Sequence, residues 1–169
     1  MRILGIDPGY ERLGIAMLEK NTEARPQCKE KVVFSECFKT SAKLEFSERL
    51  KLIGEEIKKV IKKYQPEVLS IETLFLNTNH KTVMRVAEAR GVVIYEAASA
   101  GLKIFEVSPL QIKIAVTGYG RADKEQIVKM VKILVDIDKL KDHAIGRQAS
   151  DDELDAIAIA LTAFAHIKF

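Results

Sequence analysis

The chain has 169 residues, enough for one domain with a substantial core that needs neither disulfides nor a structural metal. Hydrophobic residues make up 47% of the chain and charged residues 30%, which is typical of a soluble globular protein, and no apolar run approaches the roughly 18 residues of a transmembrane helix. The net charge of +3 is too small to indicate a partner, and Cys28 and Cys37 lack metal-ligand spacing, which favours reduced thiols. Because no signal peptide precedes the first predicted strand, we expect one cytoplasmic domain over residues 1–169.

The first part of the chain is predicted to form an antiparallel meander of three strands. Apolar and β-branched residues predict these strands at residues 2–6, 13–18 and 32–38. Pro8 and Gly9 predict a turn directly after Asp7, because proline cannot continue a strand and glycine tolerates a tight reversal. A polar loop is expected at residues 21–31.

The rest of the chain alternates between strands and helices. Apolar residues that recur every three or four positions predict an amphipathic helix at residues 46–64, which Pro66 ends. Strands are expected at residues 67–72 and 102–107. A second helix is expected to follow a turn at residues 77–79 and to end at residue 100. A third is expected to begin at Ser108-Pro109 and to end at a break formed by Gly118-Tyr119-Gly120. Two more are expected at residues 122–135 and, after a polar loop, at residues 150–167. The order βββαβαβααα predicts an α/β fold, with a mixed sheet covered by helices on both faces.

Two predicted strands deliver an acid to their carboxyl ends. Strand alternation places Asp7 on the same face as Ile3 and Gly5, and Glu72 on the same face as Val68 and Ser70. Either acid alone is better explained as an exposed strand end.

The last predicted helix begins with several acids. Ser150 and Glu153 form a capping box, and Asp151 and Asp152 in the first turn suit the helix dipole. Asp155 is different, because it lies beyond the cap beside a stretch that is apolar on nearly every side. Asp152 and Asp155 share one face of the helix, one turn apart. A buried carboxylate needs a partner, and the sequence places few Arg or His residues where they would neutralise these acids.

Acids at two strand ends and on a buried helix suit hard divalent cations, which take oxygen ligands. Two such ions about 4 Å apart can hold the attacking and leaving oxygens of a phosphodiester. The residues alone therefore favour a metal-dependent phosphodiesterase.

Four motifs occur in order along the chain: Ile3-Leu-Gly-Ile-Asp-Pro-Gly9, Ile71-Glu-Thr-Leu-Phe75, Ala89-Arg-Gly91 and Asp152-Glu-Leu-Asp-Ala156. As a set they resemble the successive signatures of the RuvC family, the bacterial Holliday-junction resolvases. The resemblance implies an RNase H-like fold, with a five-stranded mixed sheet whose second strand is antiparallel, flanked by helices on both faces. It also implies a homodimer that cuts four-way junction DNA symmetrically and works with the RuvA–RuvB branch-migration complex in recombination and repair.

The resemblance further implies a catalytic site. The family's four acids, which are also its Mg²⁺ or Mn²⁺ ligands with two ions per site, match Asp7, Glu72, Asp152 and Asp155. One ion would lower the pKa of a water that attacks phosphorus, and the second would stabilise the leaving 3′-oxygen, which gives a 5′-phosphate. The chain departs from the family by having two adjacent acids, where the family usually has one acid or a histidine. The spacing to Asp155 favours Asp152, and Asp151 is the competitor.

The resemblance also suggests residues that contact DNA. Phe75 matches a phenylalanine that stacks on an unpaired base, although a core or dimer contact explains it equally well. Lys113 and Lys124 match lysines near the scissile phosphate, and ordinary solvated helix lysines are the alternative. Three more basic residues on the following helix could extend a basic track: Lys81, Arg85 and Arg90.

Three other functions compete with this interpretation. YqgF-type RNase H-like proteins open with a similar strand and would imply RNA processing, but the segment around Glu72 and the pair Asp152 and Asp155 argue against them. An actin-like or sugar-kinase fold would bind ATP, but it needs two lobes and therefore a longer chain. A junction-binding module without catalysis is disfavoured by the full set of acids.

Overall fold

The structure, a computed structural model, describes residues 1–20, 30–74, 80–135 and 149–167. Its strands are β1 (Arg2–Asp7), β2 (Arg12–Lys20), β3 (Glu30–Lys39), β4 (Val68–Glu72) and β5 (Lys103–Val107). Its helices are α1 (Phe46–Tyr64), α2 (His80–Ser99), α3 (Pro109–Thr117), α4 (Lys124–Leu134) and α5 (Asp151–His166). The predicted order of elements is confirmed among the described residues. The predicted turn at 77–79 and most of the two predicted loops lie outside them, whereas residues 30 and 31, predicted as loop, belong to β3.

The helix boundaries follow from capping residues. The Ser108 side chain accepts a hydrogen bond from the Gln111 backbone and begins α3, and Ser150 does the same for α5 through Glu153. Both predicted helix starts are therefore confirmed. Helix α3 ends at Thr117, and Gly118 caps it with a φ of 72°, in the left-handed region that glycine adopts without strain.

The strands form one mixed sheet in the order β3-β2-β1-β4-β5. The first three are antiparallel neighbours, which confirms the predicted meander and the antiparallel second strand. β4 runs parallel to β1, with Ile6 opposite Ile71, and β5 runs parallel to β4. The carboxyl ends of β1, β4 and β5 therefore meet at one edge of the sheet, which brings together Asp7 and Glu72, the last residues of β1 and β4.

Helices cover both faces of the sheet, as predicted. On one face, Ile3 and Val68 lie in a core formed with α5, and α3 and α4 pack against that helix. On the other face, Leu4 and Ile6 are buried with Ile53 of α1 and with apolar residues of α2. The predicted alternation of side chains along β1 is confirmed. None of the described helices is long and apolar enough to cross a membrane.

Helix α5 approaches the sheet backbone closely at two glycines. A Cβ atom on Gly5 would lie 2.2 Å from the carbonyl oxygen of Ala156, and a Cβ on Gly14 would lie 2.1 Å from the carbonyl oxygen of Asp152. No side chain fits at such distances without movement of the backbone. The Ser70 hydroxyl also donates to the carbonyl oxygen of Ile159 at 2.9 Å, which ties the helix to β4. These contacts determine how far the acids of α5 lie from the ends of β1 and β4.

We expect Gly5→Ala to lower the free energy of unfolding by about 1–3 kcal/mol, because the added methyl group would overlap the backbone of α5. Urea denaturation measures this change. Gly91→Ala is the matched control, because Gly91 lies in α2 with no atom within 4 Å of an added Cβ. That control should gain about 0.5–1 kcal/mol from its higher helix propensity. Equal stability of Gly5→Ala and the wild type would contradict the close packing of α5.

Candidate active site

Three carboxylates from separate elements line one cleft. Asp7 and Glu72 come from the ends of β1 and β4, and Asp155 comes from the second turn of α5. The cleft has a volume of about 290 Å³, and Lys113 and Lys124 also line it. Its apolar wall consists of Pro109, Ile112, Ile127 and Ile159. The fold therefore brings together residues that are far apart in sequence, as the strand-end pattern predicts.

Burial and mutual repulsion make these carboxylates difficult to ionise. Burial raises the pKa of Asp7 to about 7, and the negative charges of Asp155, Glu72 and Asp152 add to this rise, while the charge of Lys124 opposes it. Burial and the charge of Asp155 also raise the pKa of Glu72. The pKa of Asp155 is raised as well, mainly by burial, even though Lys124 counteracts it. The site therefore favours the binding of additional positive charge.

Lys124 supplies part of that positive charge. It is the first residue of α4, and its Nζ atom lies 3.3 Å from Oδ2 of Asp155 and 3.3 Å from Oδ2 of Asp151. Partial burial opposes a charged amine, but these carboxylates outweigh it and raise the pKa of Lys124. Lys113 approaches the same cleft from α3. Both lysines that the sequence singled out thus lie beside the acids.

Asp152 has a different partner from Asp155. The Arg12 Nε atom donates to Oδ2 of Asp152 at 2.8 Å, Nη2 of the same arginine contacts that oxygen too, and the Cys37 thiol donates to it at 3.4 Å. Burial would raise the pKa of Asp152, but the hydrogen bonds from Arg12 and Cys37 and the charge of Arg12 lower it. Asp151, the competitor, has a side chain that is 73% exposed, against 22% for Asp152.

The expectation that few basic residues would neutralise the acids was wrong for Asp152. The antiparallel pairing places Gly14 opposite both Asp7 and Cys37, and α5 lies directly on Gly14, so Arg12 at the start of β2 reaches Asp152. The predicted pairing of the first two strands returns residue 12 to the strand end that carries Asp7, but only the docking of α5 brings Asp152 to Arg12. Cys37 is a free thiol, as expected, while Cys28 lies outside the described residues.

The acids suit a divalent cation by their chemistry. Carboxylate oxygens are the ligands that hard divalent ions prefer, and these carboxylates repel one another in a partly buried cleft. The described residues nevertheless contain no group of three His, Cys, Asp or Glu side chains arranged closely enough to hold a metal ion. Part of the reason is visible in the contacts, because Arg12 holds Asp152 and Lys124 holds Asp155. A cation at Asp152 or Asp155 would compete with these basic side chains for the carboxylate oxygens.

The structure describes only some of the other residues that were suggested to contact DNA. Phe75 and the side chain of Lys81 lie outside the described residues. The Arg85 guanidinium lies over the rings of Tyr10 and Phe46, with its Cζ atom 5.7 and 5.3 Å from the ring centroids. Arg85 is therefore packed against the turn that follows Asp7.

Known proteins resemble this chain over nearly its whole length. A family model described as crossover junction endodeoxyribonuclease RuvC matches residues 3–163. The chain belongs to the RuvC family. It is 40% identical over 162 residues to the crossover junction endodeoxyribonuclease RuvC of Caldanaerobacter subterraneus subsp. tengcongensis, covering 95% of this chain and 90% of the relative.

Solved RuvC structures share the same fold. The Thermus thermophilus RuvC structure is 30% identical, with a TM-score of 0.82, and the alignment covers 98% of this chain and 95% of that chain. The structure of T. thermophilus RuvC in complex with Holliday junction substrate is 28% identical, with a TM-score of 0.84 and coverages of 98% and 94%. The RNase H-like RuvC fold is thereby confirmed. Family membership implies the use of a divalent metal ion and favours neither the RNA-processing nor the ATP-binding interpretation.

We expect Asp7→Asn to stabilise the metal-free protein at pH 8 by about 1–3 kcal/mol, since it removes a buried charge that its neighbours repel. The pKa of Asp7 rises from 3.8 to about 7 on folding, so the folded state holds the extra proton between these values. The wild type should therefore lose stability as pH rises from 4 to 7, and Asp7→Asn should lack this contribution.

Urea denaturation in EDTA at pH 5 and pH 8 measures both effects. Asp151→Asn serves as the control, because it removes the same charge from a side chain that is 73% exposed and should change the free energy of unfolding little. Asp7→Asn being less stable than the wild type at pH 8 in EDTA would contradict the repulsion described above.

Proposed function

We propose that this protein is a Mg²⁺-dependent endodeoxyribonuclease that resolves four-way DNA junctions, and that residues 1–169 act as one nuclease domain. The observation that carries this proposal is the meeting of Asp7, Glu72 and Asp155 in one cleft, in a chain that belongs to the RuvC family. The complex of T. thermophilus RuvC with a Holliday junction substrate supports the choice of DNA. An RNA substrate is the less favoured alternative.

The metal site is proposed to consist of Asp7, Glu72, Asp155 and Asp152, and to take two Mg²⁺ ions, with Mn²⁺ able to replace them. Such ions, when bound, would activate water and stabilise the negative charge that develops on the phosphate oxygens. The raised pKa values of the first three acids support this, because burial, and then the charges of neighbouring acids, disfavour their ionised forms when no cation is bound.

The lysines of the cleft would hold the phosphate backbone. Lys124 is paired with Asp155 and Asp151, and a DNA phosphate entering the cleft would compete with these carboxylates for its amine. Lys113 would contact a neighbouring phosphate from α3. The apolar wall around Ile112 would limit the access of other water molecules to the scissile bond.

Asp152 is proposed as the fourth ligand in preference to Asp151. It is the less exposed of the two and lies one helical turn from Asp155. In the absence of metal, Arg12 holds its carboxylate ionised and ordered beside the cleft. Release from Arg12 would make this carboxylate available to a cation.

A homodimer would explain paired, symmetrical cutting, because a two-fold axis presents two equivalent sites to two like strands. The RuvA–RuvB branch-migration complex is the proposed partner.

Phe75 is proposed to stack on an unpaired base near the junction centre. Slower junction cleavage by Phe75→Ala, at unchanged duplex affinity, would support that role, and equal losses of both would favour a core contact.

A four-way junction cleavage assay tests the proposal. With Mg²⁺, the wild type should cut a synthetic junction into paired nicked duplexes much faster than linear duplex DNA, and EDTA should stop the reaction. Asp7→Asn should lose cleavage by at least about 1,000-fold, because it removes a ligand, yet retain junction binding in EDTA. Cleavage of RNA in preference to junction DNA, or a loss of binding as large as the loss of cleavage, would overturn the proposal.

Asp152→Asn and Asp151→Asn form a matched pair, since the two residues are adjacent and carry the same charge. We expect Asp152→Asn to reduce junction cleavage by at least about 100-fold, whereas Asp151→Asn should stay within about threefold of the wild type. Rates measured with saturating junction and a range of Mg²⁺ concentrations separate the two. The reverse ranking would assign the fourth ligand to Asp151.

A further inference from the structure

Arg90 of α2 contacts the main chain of Glu72 from behind the cleft. Its Nε atom donates to the carbonyl oxygen of Glu72 at 2.9 Å, and its Nη2 atom forms an ion pair with Glu106 of β5. The Arg90 side chain is only 16% exposed. The suggestion that Arg90 could extend a basic track stays a prediction, and the contacts show that its guanidinium is already engaged with Glu72 and Glu106.

At Glu72, β4 is paired with one neighbouring strand and no longer with two. The pairing of β4 with β1 ends at Ile71, so Glu72 has a paired neighbour only in β5, where it lies opposite Val107. The backbone N–H of the next residue, Thr73, donates to the carbonyl oxygen of Val107 at 2.8 Å. Arg90 adds a hydrogen bond to the Glu72 carbonyl itself. The last peptide group of β4 is thus held by β5 and by α2.

Arg90 lies on the side of the sheet opposite the acids. Helix α2 packs on the face that buries Leu4 and Ile71, whereas Ser70 on the face of Glu72 contacts α5. Arg90 is not among the residues that line the cleft with Asp7 and Asp155. Its direct contact with a residue of the cleft is the hydrogen bond to Glu72.

The guanidinium group suits this arrangement. It is planar and directs several N–H donors along fixed directions, so one side chain can bind a carbonyl and a carboxylate at the same time. The ion pair with Glu106 fixes the plane of the group and leaves Nε directed at the Glu72 carbonyl. A lysine has one ammonium group and would not hold both acceptors with the same geometry.

We propose that Arg90 is a positioning residue that fixes the end of β4 and thereby aims the Glu72 carboxylate at the divalent cation. This inference rests on the proposed function, because it assumes that Glu72 is a metal ligand. Groups that orient a ligand without touching the metal commonly contribute about 10–100-fold to metal affinity. Arg90 should accordingly affect metal binding far more than it affects DNA binding.

The experiment compares Arg90→Met with Arg2→Met. Arg2 is the matched control, because its Nε atom contacts Glu19 at 2.9 Å and its Nη1 atom donates to the backbone carbonyl of Tyr64 at 2.8 Å, at the amino end of β1. It therefore makes the same two kinds of contact at a distance from the cleft. Mg²⁺ affinity is measured by titration calorimetry without DNA, junction affinity by fluorescence anisotropy in EDTA, and stability by urea denaturation.

We expect Arg90→Met to weaken Mg²⁺ binding by about 10-fold or more and to shift junction cleavage to higher Mg²⁺ concentrations, while junction affinity in EDTA stays within about twofold. Arg90→Lys should fall between this variant and the wild type. Arg2→Met should bind Mg²⁺ as the wild type does. An unchanged Mg²⁺ affinity in Arg90→Met, an equal loss in Arg2→Met, or a loss of junction affinity as large as that of Mg²⁺ affinity would overturn the inference.

Two further variants keep the result interpretable. Glu72→Gln should itself weaken Mg²⁺ binding, and if it does not, the proposed metal site fails and this inference fails with it. If Glu72→Gln weakens Mg²⁺ binding and Arg90→Met does not, only the role of Arg90 is overturned. Should Arg90→Met not fold, Glu106→Gln decides the matter, because it leaves Arg90 in place but removes the ion pair that orients it. Weaker Mg²⁺ binding by that variant supports the inference, and unchanged binding overturns it.

Discussion

The direct contact of α5 with the backbone of β1 and β2 is the constraint on which the site depends. Gly5 and Gly14 have no side chain, so the carbonyl groups of Ala156 and Asp152 lie where a Cβ atom would otherwise be. A larger residue at either position would lift the helix from the sheet and carry Asp155 away from Asp7. Residues 156–161 of the helix are apolar and buried, which holds it against the sheet through the hydrophobic effect. The packing of the core and the geometry of the cleft therefore depend on the same contacts between α5 and the sheet.

That packing concentrates negative charge in a partly buried cleft, which costs folding free energy. Asp7 shows the cost most clearly, because its pKa reaches about 7. The fold offsets the repulsion locally, with Lys124 beside Asp155 and Arg12 beside Asp152. Such a site is less favourable without cations than with them, and this difference in free energy is available for binding metal ions.

Support from outside the cleft completes the arrangement. The strand end that carries Glu72 is held by β5 on one side and by Arg90 of α2 on the other. The strand end that carries Asp7 continues into a turn whose Tyr10 ring packs against Phe46 and against the guanidinium of Arg49. Each acid of the cleft thus lies on regular secondary structure that other elements hold in place. Rigid backbone under an acid limits the positions that its carboxylate can adopt.

The sequence by itself determined the order of elements, the capped starts of α3 and α5, and the acids at the ends of β1 and β4. These features are local, because hydrophobic periodicity and capping depend on residues a few positions apart. The four motifs were also sufficient to indicate the family. The tertiary structure alone decided which basic side chain lies beside which acid. Arg12 reaches Asp152, Lys124 reaches Asp155, and Arg90 lies behind Glu72, because strand register and helix docking bring together residues separated by up to 140 positions in the chain. Long, flexible basic side chains carry no sequence signal for their partner, so only the packed fold specifies it.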